Sequence, residues 1–345
     1  MHEILRAARD RGASDVHLVA GRPPTLRIDG DLTPLPGAIG ADELSAFINE
    51  TLGSRARDAL ERAGLADGAF HDAQVGTLRL HAFVDRGGLR CAARLLPFEV
   101  PGLESLDVPP AVEALIIRRH GLVLVVGPTG SGKTTLLAAL VDRLNERHAR
   151  HIITLEEPVE YVHAANCSVI AQCEIGRDIG GFAIGTRGAL RADPDVILIG
   201  ELREPEAMRC ALEAAEAGHL VLASLHTVDA PGALERIVDA FPLDGRAQIR
   251  VQIAQTLAGI VALRLVRRAR GSGRRAAAEV LIATDAVRNL IRESKIHQLR
   301  SAIQTGRSFG MQTLESHLSE LLARGEIDAE TARAAAERPA ELENL

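Results

Sequence analysis

The sequence predicts an α/β protein: a small α+β domain, then a P-loop nucleotide-binding domain with a mostly parallel sheet, then a helical C-terminal region. Three observations carry this. Val123 to Val126, apolar and largely β-branched, run into the glycine-rich stretch Gly127 to Lys133 and then into helical periodicity from Thr134 to Leu144. Strand, glycine loop and helix in that order are the context that gives the pattern G-x-x-x-x-G-K-[ST] its meaning. From Gly121 onward strand patterns alternate with helical ones, the mark of a parallel sheet. Before that point, short alternating runs and tight turns dominate, the mark of an α+β unit. A chain of 345 residues is long enough for two or three such domains. The expected divisions are an N-terminal domain at 1–97, a linker at 98–110, a P-loop core at 111–284 and the helical region at 285–345.

In chain order, Glu3 to Arg11 read as an amphipathic helix ended by Gly12, and Asp15 to Val19 alternate as a strand. After the turn Gly21 to Pro24, Thr25 to Gly30 form a strand running into a hairpin turn, and Asp42 to Leu52 are helical. Val75 to Phe83 and Leu89 to Leu96 alternate on either side of the turn Asp85 to Gly88. Four prolines between Leu96 and Pro110 make the linker semi-rigid. A helix at Val112 to Arg119 leads into the P-loop strand. Strands follow at Ile152 to Leu155, at Asp195 to Gly200 behind Pro194, and at Leu220 to Leu225. Pro205 to Ala217 is a helix with proline in its first turn and Gly218 past its end. Ala233 to Ala240 and Ala247 to Leu265 read as helices, Arg270 to Arg274 as a basic turn and Ala277 to Ile282 as a strand. From Asp285 the pattern is helical, broken near Gly306 and Gly325.

Composition narrows the function. Hydrophobic content of 46% and charged content of 25% are globular values. A net charge of −6, one Tyr and no Trp argue against a nucleic-acid surface, which needs a basic face and stacking aromatics, so no nucleic acid is expected as a partner. Cys91, Cys167, Cys173 and Cys210 make no C-x-x-C pair; they read as free thiols in a reducing cytosol rather than a zinc site. The sequence shows no signal peptide and no apolar run of about 18 residues, so direct membrane insertion is not expected.

The chemistry begins at the P-loop. Backbone N–H groups across Gly127, Pro128, Thr129, Gly130, Ser131, Gly132, Lys133, Thr134 and Thr135 would wrap a polyphosphate, aided by the helix dipole. Lys133 would reach the β and γ phosphates, and the Thr134 hydroxyl would hold Mg²⁺. Of 40 basic residues only Lys133 and Lys295 are lysine, so a lysine stands where a compact point charge is wanted. Val196 to Gly200 followed by Glu201 has the shape of a Walker B strand. Its single acid leaves both roles open: binding Mg²⁺, directly or through water, or activating the attacking water. Glu156, Glu157 and Glu160 cluster around Pro158 at another strand end, where carboxylates beside phosphates imply a metal- or water-handling role. His219 and His226 flank the Leu220 to Leu225 strand; more than about 20 Å of straight strand between them keeps them from sharing one metal.

Together these residues resemble the secretion-ATPase superfamily, and within it the type IV pilus retraction ATPases (PilT). The likeness spans nearly the whole chain: an N-terminal signature at Ser14 to Gly30, Walker A at Gly127 to Thr135, an "Asp box" at Thr154 to His163, Walker B at Ala192 to Arg203 and a "His box" at Ala217 to Thr227. Most discriminating is a retraction-type motif, read here as Ala286, Val287, Arg288, Asn289, Leu290, Ile291, Arg292 and Glu293, followed by Ser301 to Gly306.

The resemblance implies a homohexamer whose subunits pair a PAS-like N-terminal domain with a RecA-like core, with ATP and Mg²⁺ bound between them. It implies an inner-membrane platform protein as partner, and a cytoplasmic location held at the inner membrane through the pilus machinery. On the same ground Glu201 is the main catalytic carboxylate and Glu160 its partner, His226 sits near the γ-phosphate, and His219 supports the site or the subunit interface. Arg79 and Arg94 are the candidates for arginines reaching the phosphates. The chain departs from the pattern at Glu157, where an aspartate is usual, at Thr77 and His81, where an arginine and an asparagine are usual, and at Gly185 and Gly188, which weaken an expected helix. The alternatives are a pilus-assembly or type II secretion ATPase, which usually carries a tetracysteine module that this sequence does not show, and an accessory retraction ATPase.

Overall fold

A computed structural model describes residues 1–28, 30–96, 99–270 and 273–342. The chain gathers into two compact units. One comprises Met1–Val100, Glu156–His163 and Gln172–Gly180; the other comprises Pro101–Leu155, Ala164–Ala171 and the residues from Gly181 onward. The segments 156–163 and 172–180 thus group with the N-terminal residues, whereas the sequence reading had placed them inside the core at 111–284. Residue 29 of the first hairpin, 97 and 98 where the N-terminal domain meets the linker, 271 and 272 of the basic turn, and 343–345 lie outside the described residues.

The first unit holds α1 (His2–Asp10), β1 (Asp15–Val19), β2 (Thr25–Ile28), β3 (Asp31–Pro34), α2 (Ala41–Thr51), α3 (Ser54–Ala63), β4 (Leu65–Asp72), β5 (Gly76–Asp85) and β6 (Gly88–Leu95). Its sheet runs β3-β2-β1-β6-β5-β4, antiparallel throughout. Strand alternation sorts the faces: Val16, Leu18, Leu78, Leu80 and Ala93 enter a core shared with Leu5, Leu44 and Ile48 of the helices. The opposite face carries a cross-strand row in which Asp15 pairs with Arg94 and Arg94 with Arg79.

The second unit follows with α4 (Pro110–Ile116), β7 (Gly121–Val126), α5 (Lys133–Arg147), β8 (His151–Glu156), β9 (Val169–Glu174), α6 (Phe182–Ala189), β10 (Val196–Ile199), α7 (Pro205–Glu216), β11 (Leu220–Leu225), α8 (Ala230–Asp239), α9 (Arg246–Thr256), β12 (Leu257–Arg267), β13 (Arg274–Ile282), α10 (Asp285–Arg292), α11 (Leu299–Thr305), α12 (Leu314–Ala323) and α13 (Ala329–Ala335). Its sheet runs β13-β12-β7-β11-β10-β8-β9. β12, β7, β11, β10 and β8 are parallel neighbours, and β13 closes the edge antiparallel to β12. Every residue of β7, β10 and β11 is buried, which is why those strands are unbroken apolar runs.

The helix expected at Ala247 to Leu265 is corrected: helix α9 stops at Thr256, and Leu257 begins the eleven-residue strand β12. The run is apolar because it is buried between β7 and β13, not because one face of a helix is. Gly259 marks the switch. The register slips between Leu257 and Gly259, and a Cβ on Gly259 would lie 2.8 Å from the Leu281 carbonyl oxygen. Helix α6 forms in spite of its glycines, with the buried Thr186 hydroxyl donating to the Phe182 carbonyl at 2.9 Å.

Candidate nucleotide site

Three adjoining parallel strands, β7, β11 and β10, end beside one another, and each is followed by a group singled out from the sequence: the P-loop after Val126, His226 after Leu225 and Glu201 after Ile199. The C-terminal edge of an open α/β sheet is where such folds bind ligands. The loop's shape is dictated at Gly127, whose φ is +150°. A Cβ there would stand 2.4 Å from Ser131 Oγ and 2.5 Å from the Leu263 carbonyl oxygen, so only glycine fits. Gly132, at φ +93°, turns the chain into α5, which begins at Lys133 without a side-chain cap.

Lys133 is buried, and its Nζ donates to the carbonyl oxygens of Gly127 at 2.8 Å and Pro128 at 3.0 Å. The same ammonium lies 3.4 Å from Nδ1 of His226, and Nε2 of His226 lies 3.3 Å from Oε2 of Glu201. A protonated lysine can only donate, so it requires Nδ1 to accept and leaves the imidazole proton on Nε2, facing the carboxylate. Arg203 completes the set, 2.7 Å from the same Glu201 oxygen. Burial lowers the Lys133 pKa against the opposing pull of Glu201. Burial pushes the Glu201 carboxyl up, but the hydrogen bonds from Arg203 and His226 and the charge of Arg203 outweigh it and hold the group below its ordinary value, hence ionised at neutral pH. Arg203 is the member that sequence reasoning did not single out; its signal was a guanidinium two residues beyond the acid that follows an apolar strand.

The arrangement fits a polyphosphate with its ion. The first turn of α5 offers uncapped backbone donors, Thr134 is exposed on that turn, and Ser131 Oγ is buried without a partner among the described residues. Among the described residues no three His, Cys, Asp or Glu side chains converge on a metal position of their own, so an ion here would rest on the Thr134 hydroxyl, Glu201 and the phosphates. The four cysteines are free thiols.

The other expected residues lie elsewhere. His219 precedes β11 at the opposite end of the parallel strands, where Nδ1 meets the Pro194 carbonyl oxygen at 2.7 Å. The length of β11 separates it from the Lys133–His226–Glu201 group. Glu160 belongs to the first unit, together with Arg79 and Arg94. Burial raises its pKa, and the positive charges of Arg79 and Arg94 oppose that rise. The retraction-type motif forms α10, N-capped by Thr284, with Val287 and Ile291 buried and Asn289 and Arg292 exposed. Arg288 turns inward and donates to the carbonyls of Ala254, Gln255 and Leu257 at the end of α9.

A RecA-like sheet with a lysine-bearing phosphate loop, an acid and an imidazole at three neighbouring strand ends defines a P-loop nucleoside-triphosphate-binding protein. The chain belongs to the type II/IV secretion system protein family, whose model matches residues 102–341, and within it to the type IV pilus retraction ATPases. It is 42% identical over 339 residues to the type IV pilus retraction ATPase PilT of Pseudomonas aeruginosa, covering 98% of each chain. It is 39% identical to a twitching motility protein of Neisseria gonorrhoeae, covering 96% of this chain and 88% of that one. The crystal structure of the pilus retraction motor PilT with bound ADP superposes with a TM-score of 0.91 at 41% identity, covering 99% of this chain and 98% of that one.

Proposed function

We propose that this chain is the ATP-hydrolysing subunit of a homohexameric motor that drives type IV pilus retraction. The observation that carries the chemistry is the Lys133–His226–Glu201 line at the ends of β7, β11 and β10. Phosphoryl transfer asks the protein mainly to position the reactants and stabilise charge. Lys133 exchanges the Gly127 and Pro128 carbonyls for the β and γ phosphates. Glu201 accepts the proton of the attacking water, and His226, with its proton on Nε2, fixes the carboxylate oxygen it faces. Mg²⁺, when held by Thr134 and Glu201, would neutralise charge on the two terminal phosphates. Arg79 and Arg94 serve as phosphate-contacting groups in this reading, with Glu160 as their counter-charge.

The assignment to retraction is supported by the names of the relatives and by the motif on α10. The ring, the platform protein at the inner membrane and the cytoplasmic location come with that assignment. No helix among the described residues is long and apolar enough to cross a membrane. Deleting the gene should leave hyperpiliated cells that neither retract pili nor twitch; the parental gene should restore both and the Glu201→Ala form neither. Full twitching with Glu201→Ala would overturn the reading.

A further inference from the structure

Ser224, two residues before His226 on β11, is buried and grips the chain on both sides of Glu201. Its hydroxyl donates to the Gly200 carbonyl at 2.5 Å, and its own carbonyl accepts the Leu202 N–H at 2.9 Å. The regular β10–β11 pairing ends at Ile199 opposite Ala223. Beyond it, the Ser224 hydroxyl serves the Gly200 carbonyl as β10 leaves the sheet. On its other side Gly200 is tied to β8, its N–H donating to the Leu155 carbonyl at 2.7 Å. The peptide that presents Glu201 is therefore held from both flanks, and one of the two holds is a side chain on the strand that also delivers His226.

We propose that Ser224 is a positioning residue for hydrolysis, fixing the Glu201 carboxylate relative to His226 and thereby to the attacking water. The proposal rests on the assignment of Glu201 as the hydrolytic carboxylate. A buried serine that merely satisfied its own hydroxyl would matter to stability alone; this one joins the two strands whose ends carry the acid and the imidazole. The lost hydrogen bond acts on the transition state and leaves the phosphate loop, built on β7 and α5, untouched.

The test uses the full-length chain and measures kcat and KM for ATP together with ADP affinity. Ser224→Ala should lower kcat about ten-fold, the effect of one buried hydrogen bond, with ADP affinity and KM within about two-fold. Ser224→Thr, which restores a hydroxyl on a strand position, should recover most of the rate. Ser224→Cys, a weak donor of similar size, should fall between them, and it carries the test should the alanine form not fold. Parental kcat in the alanine or cysteine variant, or a fall in ADP affinity matching the fall in kcat, would overturn the proposal. Glu201→Gln is run in parallel. If it hydrolyses ATP at the parental rate, the assignment of Glu201 fails and takes the proposal with it. If it is inactive while Ser224→Ala is fully active, the positioning role alone fails.

Discussion

His226 lies between Lys133 and Glu201, with Nδ1 3.4 Å from the ammonium and Nε2 3.3 Å from the carboxylate. One ring therefore touches both groups to which the proposed reading gives phosphate binding and hydrolysis. Replacing it should separate binding from turnover: His226→Ala should lower kcat by about a hundred-fold, the scale of one oriented polar contact at a reacting centre, while ADP affinity stays within a few-fold. Phosphate release and equilibrium nucleotide binding, measured on the same preparation, check this.

Lys133→Ala should fail earlier, at binding. The residue is buried against its own loop, and in the proposed reading its charge meets the terminal phosphates. ADP titration should show affinity down by at least about ten-fold, with no measurable turnover.

Gly127→Ala tests the loop without removing any charge. The added methyl has nowhere to go, with Ser131 Oγ at 2.4 Å and the Leu263 carbonyl oxygen at 2.5 Å. Nucleotide binding should be lost and the thermal midpoint should fall; normal binding would show that the loop adopts a different turn.

Glu279, buried on β13, gives a pH-dependent prediction. Burial raises its pKa to about 7, against the Ala230 N–H it accepts at 2.9 Å; nearby Asp229 and Glu337 raise it further and Arg300 opposes them. The folded-state value lies above the unfolded one, so the native chain binds the extra proton. Its contribution to stability is complete below the ordinary carboxylate range and is lost as pH rises through about 7. Glu279→Gln keeps an acceptor for Ala230 and carries no charge. Its stability relative to the parent should improve between pH 5 and pH 8 by up to about 3 kcal/mol, read from denaturant midpoints at each pH.

The motif on α10 divides into two kinds of position. Val287, Ile291 and the inward-turned Arg288 hold the helix in place, so changing them should lower stability and confuse any motility assay. Asn289 and Arg292 are exposed, bonded to each other through the Arg292 guanidinium and Asn289 Oδ1. Changing both to alanine should leave ATP turnover and the thermal midpoint near parental values while abolishing twitching in complemented cells. Normal twitching would remove the motif from the retraction mechanism.

Much of this was legible in the sequence because burial leaves a local record. Val123 to Val126, Val196 to Ile199 and Leu220 to Leu225 are apolar on both faces, and glycine ends the first two runs and histidine the third, where the candidate site begins. Leu257 to Leu265 defeated the same reasoning, since a strand buried on both faces carries no period to distinguish it from a buried helix. β4 went unread because Gly68 and the polar Asp67, His71 and Asp72 dilute an edge strand. α3 went unread because its stripe, Ala56, Ala59 and Leu60, is short, mostly alanine and only partly buried against the core. The site showed its residue types but not all of their grouping: spacing along the chain placed His219 and His226 at opposite ends of one strand, but could not reveal that Glu160 joins Arg79 and Arg94.

Strand β12 receives Arg288 at the Leu257 carbonyl, 2.9 Å away, and lays its Leu263 carbonyl directly beneath Gly127. Six residues of extended chain, roughly 20 Å, separate these points. Ladders to β7 and β13 brace the strand on both sides. The helix that carries the retraction-type motif and the loop that carries Lys133 are therefore registered against one strand, which its two ladders keep from slipping.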